Sequence, residues 1–302
     1  MILVTGGQGF IGRAVCAMLM ARGYEAIVVD TKAADANAST YAYTTEVCDI
    51  QSNEEINHLF RHYPITTVIH LASVLNTASR QQPFEATQVN IMGSLHLLEA
   101  ARQSGVAKFI YGSSMNVYGG IETSAITDDE LLSRPPAPET PYGIAKRTVE
   151  MLGMTYQQFG GNFVALRIAY VLGAGSRSTS SPWRSEIFEQ LRPESTQPVE
   201  IHIPFSGKAQ MPFVFIDDVA AMFVRLVEAS QFSRQLYNTP AETWTIQALA
   251  TYLESVAPHL QVTCGQAATG NPTTLTGQVF TREFGYTSEM SIQARIEQAR
   301  NT

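Results

Sequence analysis

An α/β fold, a doubly wound parallel sheet with a smaller, irregular C-terminal substrate-binding region, is predicted by three features of this chain. Through residues 1–172, strand-like apolar runs alternate with helical stretches, as a parallel sheet with crossover helices requires. A glycine-rich turn joins the first strand to the first helix. Near Gly173 the composition shifts to a Ser/Thr-rich turn, and the strand pattern beyond it is expected to become short and irregular.

The elements follow in order. Ile2-Leu3-Val4-Thr5 is an apolar run with β-branched residues, suited to a buried strand. It breaks into Gly6-Gly7-Gln8-Gly9-Phe10-Ile11-Gly12, passes through a helix ending at Arg22-Gly23, and returns as Glu25-Ala26-Ile27-Val28-Val29-Asp30. Further strands are predicted at 42–47, 67–71, 108–112 and 163–168, and helices at 53–62, 84–104 and 142–159. In the last helix Ala145, Val149, Leu152, Tyr156 and Phe159 recur at steps of four and three, one apolar face. Residues 121–141 read as a loop whose Asp128-Asp129-Glu130 cluster is a solvated face rather than a metal site. Two domains are expected, 1–172 and 173–302, with some segments of the second returning to the core of the first.

The glycine turn carries the first functional signal. Gly6 suits a tight turn, Gly9 lets the backbone approach a pyrophosphate, and Gly12 lets helix pack closely on strand. Phe10 and Ile11 open the helix, whose free N–H groups and partial positive charge face the phosphates. Asp30, ending the second strand, can accept both ribose hydroxyls and would repel a 2′-phosphate. Strand, glycine turn, helix and acid in this order predict a Rossmann-type site for NAD rather than NADP.

Composition sets the class. The chain has 302 residues, 45% hydrophobic and 16% charged, enough for a sizeable core and too few charges for a disordered chain. A net charge of −7 argues against nucleic acid or an anionic membrane as partner. Cys16, Cys48 and Cys264 are odd in number and far apart, as reduced core thiols are. The apolar start lacks a basic leader and is interrupted by Arg13, and no run of eighteen apolar residues occurs. A cytoplasmic protein is expected.

Two places carry chemistry. In Tyr142-Gly143-Ile144-Ala145-Lys146 a tyrosine and a lysine stand four apart, on one helical face. Tyrosine titrates about three units too high for a base at neutral pH, a gap of about 4 kcal/mol. An ammonium about 4 Å away supplies roughly that much at an effective dielectric of about 20. The isolated pattern also fits a surface cation beside a half-buried ring. The other place is the strand running into Gly112-Ser113-Ser114-Met115-Asn116, where a hydroxyl can hold a substrate oxygen at the strand's carboxyl end. Ser113 reads as a turn cap. A nucleophile elbow is disfavoured, because Asn116 stands where its second glycine belongs.

These residues resemble the extended short-chain dehydrogenase/reductases, specifically the NAD-dependent epimerase/dehydratase family, over most of the chain. Thr5–Gly12 looks like the family's Thr-Gly-Gly-x-Gly-Phe-Ile-Gly. The resemblance implies that Asp49 and Ile50 meet the adenine, and that Leu71 and Ala72, in His70-Leu71-Ala72-Ser73, lie beside the cofactor. Asn90 and Gly93 match the Asn-x-x-Gly of the next helix. Ser114 falls on the catalytic Ser/Thr, and Tyr142 with Lys146 on the catalytic pair, which also contacts the cofactor. Arg167, Val171-Leu172-Gly173 and Phe213–Ala220 resemble later landmarks. A homodimer through helices 84–104 and 142–159 is implied as well, since each offers more apolar positions than one sheet face needs.

Departures from the family pattern narrow the chemistry. Met115 and Asn116 replace the Asp-Glu pair of the 4,6-dehydratases, and neither can move a proton as a carboxyl does. Tyr170 stands for an Asn, and Met211 for an Arg, that nucleotide-sugar epimerases place at the diphosphate. Loss of a guanidinium removes a bidentate clamp. Arg177, Arg184 and Lys208 could replace that charge. Arg177 and Arg184 could equally grip a sugar acid's carboxylate or be exposed loop charges. The expected substrate contacts are Ser73, Ser114, Met115, Asn116, Tyr142, Tyr170, Arg177 and Arg184. His70 reads as a packing residue and His202 as a possible contact with substrate. No His, Cys or carboxylate spacing resembles a metal site.

The expected activity is hydride transfer between NAD and a secondary alcohol of a sugar, polyol or sugar acid. A UDP-glucose 4-epimerase-like reaction is the alternative, and a non-catalytic NAD-binding sensor a third.

Overall fold

The computed structural model describes residues 1–33, 43–121, 127–134, 136–175, 181–195 and 197–301. Its first half reads, in strands, β1 (Ile2–Thr5), β2 (Ala26–Asp30), β3 (Thr44–Val47), β4 (Thr67–His70), β5 (Lys108–Ser114) and β6 (Asn162–Ile168). The second half adds β7 (Tyr170–Leu172), β8 (Val199–Phe205), β9 (Gln210–Phe215), β10 (Leu236–Asn238), β11 (Glu242–Thr245) and β12 (Leu260–Ala267).

Seven strands form one parallel, Rossmann-type sheet in the order β10-β6-β5-β4-β1-β2-β3. From β1 the chain winds outward to β3, then crosses back to β4 and winds the other way. The carboxyl ends of β1 and β4 therefore flank the switch point, where ligands of open α/β sheets bind. Both faces of the sheet are covered. Val4 joins a cluster with Val15, Leu19 and Phe223, while Leu3 joins Ile27, Ile56 and Leu97 on the other side. Burial on both faces is why the strands read as continuous apolar runs without alternation.

Helices Phe10–Ala21 and Ile216–Glu228 pack together on one face, and Asn53–His62, Ser94–Gln103 and Pro141–Tyr156 cover the other. A three-stranded sheet, β11-β9-β7, and a parallel pair, β12-β8, build the region above the strand ends.

Four expectations need correction. The stretch expected as one helix over 84–104 is divided into Pro83–Thr87, a π-helical segment Gln88–Gly93, and Ser94–Gln103. The π segment turns Asn90 inward, where its amide bonds both backbone groups of Val74. The acidic cluster expected as a solvated loop face opens the helix Asp128–Ser133, with Thr127 and Glu130 closing a capping box. Asp128 is buried there, and its carboxylate accepts from Asn238 Nδ2 at 2.8 Å and Val279 N at 2.9 Å. The C-terminal strands are not all short: β8 has seven residues and β12 eight, with Ile201 and Ile203 buried between exposed Glu200 and His202. Finally, helix Pro141–Tyr156 buries Gly143, Ala145, Lys146, Val149, Glu150 and Gly153, while Phe159 beyond it is exposed. Two charged residues sit in that inward stripe against partners, so apolar periodicity misplaces the face.

Candidate active site

The glycine turn lies at the switch point. Gly6 has φ +68°, and a Cβ there would sit 2.6 Å from Ala72 N; one at Gly12 would sit 2.2 Å from Gly6 O. These two glycines are required by the fold's own packing. At Gly9 a Cβ would meet only Gly6 O, at 3.1 Å, so this position is open on its other sides. Gly9 caps helix Phe10–Ala21 with no side-chain bond, so Phe10, Ile11 and Gly12 begin a helix whose N–H groups have no acceptor from the cap residue. Asp30 Oδ2 accepts from Gln8 N at 3.1 Å, which holds the acid beside the turn. Asp49 Oδ1 accepts from Gln51 N at 2.9 Å, and Ile50 packs where a Cβ at Gly93 would clash. An open glycine, an uncapped helix end and an adjacent carboxylate fit a dinucleotide.

Leu71 and Ala72 continue β4 over the turn, Leu71 N donating to Thr5 O and Ala72 N to Thr5 Oγ1. Asn90 Oδ1 accepts from Val74 N at 2.7 Å and Ser73 Oγ at 3.1 Å. It fixes the loop holding Ser73. His70 is the packing residue expected from the sequence. Ser94 Oγ donates to Asn90 O, so it accepts from His70 Nε2, and Nδ1 accepts from Thr5. Burial, with the nearby Lys146 charge, pushes the imidazole down to about 3, so it is neutral at working pH.

Ser114 ends β5, and Tyr142 begins the helix that Thr140 caps. Ser114 Oγ donates to Asn116 Oδ1 at 2.9 Å and lies within hydrogen-bonding reach of the Tyr142 phenol. Lys146 Nζ donates to Gly112 O at 2.7 Å and lies 4.7 Å and 5.5 Å from the ring centres of Tyr111 and Tyr142. Burial pushes Tyr142 up to about 12, against the Ser114 bond and the Arg184 charge. Burial pushes Lys146 down to about 7, against Glu150. Lys146 alone does not set the phenol: in the fold, burial moves each group toward its neutral form, and Arg184 is the cation that favours the phenolate.

Arg184 starts the helix Pro182–Gln190. Its Nη1 donates to Val171 O at 3.1 Å, its Cζ stands 5.7 Å from the Tyr170 ring centre, and its buried Nε has no partner. Burial lowers it to about 10, and the groups that oppose this are the Tyr170 and Tyr142 phenols. It is therefore no exposed loop charge. Tyr170 Oη accepts from Asn271 Nδ2 at 2.7 Å.

Of the expected substrate contacts, the fold brings Ser114, Asn116, Tyr142, Tyr170 and Arg184 together. Met115 is a correction: it is 2% exposed and packs in the core. Arg177 lies outside the described residues. Met211 is fully buried in β9 opposite Trp244. His202 is exposed on β8 and bonds Thr263. Among the described residues no group of His, Cys, Asp or Glu could hold a metal ion.

Two residues were missed from the sequence. Glu150, one turn beyond Lys146, takes Arg167 Nε and Nη2 at 2.8 Å each and Ser113 Oγ at 2.6 Å. Ser113 is thus a core tie and not a turn cap. The i, i+4, i+8 spacing of Tyr142, Lys146 and Glu150 was the available signal. Asn271 had none, being a lone amide in a Gly/Pro/Thr stretch.

The model of the NAD dependent epimerase/dehydratase family matches residues 2–239. The chain belongs to that family. NAD is its cofactor, in keeping with the glycine turn and Asp30. The chain is 33% identical to UDP-glucose 4-epimerase of Yersinia pestis over 160 residues, 50% of this chain and 46% of that protein. It is 30% identical to UDP-glucuronate 4-epimerase of Thermodesulfobacterium geofontis over 234 residues, 72% and 68% of the two. The matched part spans about half the length of the first such relatives. Among solved structures, UDP-glucose 4-epimerase of Thermus thermophilus with NAD superposes with TM-score 0.82 at 25% identity, covering 99% and 97% of the two chains. A GalE-like L-threonine dehydrogenase from Cupriavidus necator gives TM-score 0.87 at 20% identity over 99% and 98%, a likeness of fold. Family members thus include epimerases. Among the described residues no helix is long and apolar enough to cross a membrane.

Proposed function

We propose that this protein is a cytoplasmic NAD-dependent oxidoreductase that acts on a secondary alcohol of a small sugar-like acid. The observation that carries this reading is Arg184. Among the described residues, the half-buried Arg184 guanidinium, whose buried Nε has no partner, faces two phenols and no carboxylate, beside the tyrosine that would do the chemistry. A charge so placed needs an anion, and the substrate is the available source.

Tyr142 Oη takes the proton of the substrate hydroxyl, Ser114 Oγ donates to the same oxygen, Arg184 favours the phenolate, and Lys146 holds the nicotinamide ribose. Gly6, Gly9, Phe10, Ile11 and Gly12 hold the pyrophosphate, Asp30 the adenine ribose, Asp49 and Ile50 the adenine, and Leu71, Ala72 and Asn90 line the nicotinamide end. The chemistry that NAD supplies when bound is acceptance of hydride. Ser73, Asn116 and Tyr170 complete the wall on the substrate side.

Purified protein with NAD and separate pools of neutral sugars, polyols and sugar acids tests the proposal. Continuous formation of reduced nicotinamide with the acid pool is the expected result; turnover confined to neutral compounds would overturn it. A second reading, epimerisation of a nucleotide sugar, is favoured by the curated relatives and by an open cavity of about 540 Å³ beside Lys208 and Thr269. Tight UDP binding, with epimerisation and no net reduction of NAD, would establish that reading instead.

A homodimer belongs to the proposal. Phe84, Met92, Ile144 and Met151 are exposed on the helices at 83–103 and 141–156, with Ile144 and Met151 two turns apart on one face. A two-fold axis would bury this stripe against its copy. Light scattering at micromolar concentration should give twice the chain mass.

A further inference from the structure

We infer that Tyr111 is a positioning residue for Lys146: its ring face, in place of a carboxylate, keeps the buried ammonium charged and seated at the carbonyl of Gly112. Its use to the reaction rests on the proposal that Lys146 holds the nicotinamide ribose.

The chain has four lysines, Lys32, Lys108, Lys146 and Lys208, and Lys108 and Lys146 each have an aromatic ring beside the ammonium. These two are satisfied in different ways. Lys108 Nζ donates to three carbonyls, Leu226 O at 3.2 Å, Val227 O at 2.6 Å and Ala229 O at 2.6 Å. Each of its three protons thus has an oxygen, and the Phe232 ring centre stands farther off, at 5.6 Å. Lys146 is 2% exposed, and among the described residues its Nζ bonds a single carbonyl, Gly112 O at 2.7 Å. Two ammonium protons are left without an oxygen in a place nearly closed to water.

No ion pair fills that gap. Glu150, one turn further along the same helix, has its carboxylate taken by Arg167, Arg147 and Ser113, and acts on Lys146 only from a distance. His70, from β4, is neutral, and the Arg184 charge acts on Tyr142. What stands against the ammonium is aromatic: the Tyr111 ring centre at 4.7 Å and that of Tyr142 at 5.5 Å. Tyr111 is 1% exposed, and its ring is wedged between His70 and Phe163, with centres 5.5 Å and 6.4 Å away. A ring face attracts a cation through its quadrupole, and most strongly where both are out of water. An aliphatic side chain would fill the same space without that attraction. Burial drives Lys146 toward its neutral form, and the ring opposes it. The protons not bonded to Gly112 O are then free to meet the ribose hydroxyls, as charge-assisted donors.

The test is an NMR titration of the full chain without NAD, its lysines labelled with carbon-13 at Cε. With four lysines the spectrum is simple, and Lys146→Met assigns the signal of interest. Tyr111→Leu should lower the Lys146 midpoint by about one pH unit. Tyr111→Phe, which keeps the ring, should leave it where it stands in the unaltered protein, and Lys108 should not move in either variant. If Tyr111→Leu fails to fold, the unaltered protein supplies a second readout: above a ring face, the Lys146 Cε protons should resonate upfield of those of Lys32 and Lys208. A midpoint unmoved in Tyr111→Leu, an equal fall in Tyr111→Phe, or the absence of that upfield displacement overturns the inference. Calorimetric titration of NAD at a pH between the two midpoints tests the ribose contact separately, and weaker binding to Tyr111→Leu is expected. A lowered midpoint with unchanged NAD affinity upholds the action of Tyr111 on Lys146 and refutes the ribose contact.

Discussion

Two buried polar clusters, one tied to the helix Pro141–Tyr156 through Glu150 and one around Arg184 and Asn271, differ in one respect. In the first, Glu150 meets Arg167 with both oxygens, Arg167 Nη1 donates to Tyr118 Oη at 2.6 Å, Tyr118 donates to Asn238 at 2.9 Å, and Asn238 donates to Asp128. Glu150 and Arg167 pair with each other, and Asp128 accepts from Asn238 Nδ2 and Val279 N. In the second, Trp183 Nε1, Arg184 Nε and Asn271 Oδ1 are buried and unpartnered. A closed network holds a fold in one arrangement, and its energy is spent within the protein. An open one is held ready for something outside. The difference separates residues whose loss unfolds the chain from residues whose loss stops its chemistry, although both sets look alike as buried charges in the sequence.

Breaking each cluster should therefore give opposite phenotypes. The largest effect is expected at the open side. Tyr142→Phe keeps the ring and removes the proton-transfer group, so turnover should fall by about 10²–10⁴, with NAD affinity within a few-fold by calorimetry. Ser114→Ala should be milder. Turnover retained in Tyr142→Phe would dismiss the assignment of the base. On the closed side, Glu150→Leu leaves Arg167 buried without its counter-charge and should cost about 3–5 kcal/mol of stability, read from urea denaturation. Arg184→Met, by contrast, should leave the urea midpoint unchanged or raised, because it removes a charge that has no counter-charge and whose buried Nε has no partner, while raising the KM of an acidic substrate at least tenfold. Equal destabilisation by both variants would erase the distinction drawn between the clusters.

Legibility in the sequence follows the same division. The dinucleotide half could be read because backbone geometry imposes residue types: Gly6 and Gly12 are the positions where a Cβ would strike backbone. Ser114, Tyr142 and Lys146 were legible from spacing and family resemblance. The closed network was not. Arg167 and Glu150 are seventeen positions apart in sequence and meet only because β6 lies beside β5 under the helix. Nor could the inward face of that helix be read from apolar periodicity, since Lys146 and Glu150 lie in it. Asn271 joins Tyr170 from 101 positions away. Pairing across such distances is set by topology, and a single sequence does not carry it.

A smaller effect separates Lys146 from its neighbours. Its folded value, about 7 by burial, lies below the ordinary 10.5. Between those values the unfolded chain binds the proton that the folded protein releases, so this group's contribution to stability rises with pH through that window. Below about pH 7 both states are protonated and the full penalty of the buried charge applies. Tyr142, pushed up to about 12 from 10, acts in the opposite direction at higher pH: its contribution falls from about pH 10 to 12. Measured without NAD, the melting temperature of the protein minus that of Lys146→Met should climb from pH 7 to pH 10. A difference that stays flat across this range would mean that Lys146 is solvated or paired in the folded protein.

The smallest expected effect lies at Asp30, on the nucleotide side of the switch point. Its Oδ2 already accepts from Gln8 N at 3.1 Å, so the carboxylate is anchored to the glycine turn and presents fixed negative charge there. A fixed charge discriminates by repulsion as well as by hydrogen bonding: it would accept the two hydroxyls of an adenine ribose and oppose a 2′-phosphate. Asp30→Ala removes both actions. NAD should then bind more weakly, NADP less unfavourably, and the ratio of the two affinities should narrow by about tenfold, the worth of roughly one charged hydrogen bond. Lys32, two residues beyond and exposed, supplies a cation near the same edge, so NADP binding should gain more in Asp30→Ala than NAD loses. Calorimetric titration of both cofactors into both proteins checks this. NADP binding more tightly than NAD to the unaltered protein would show that Asp30 does not select the cofactor.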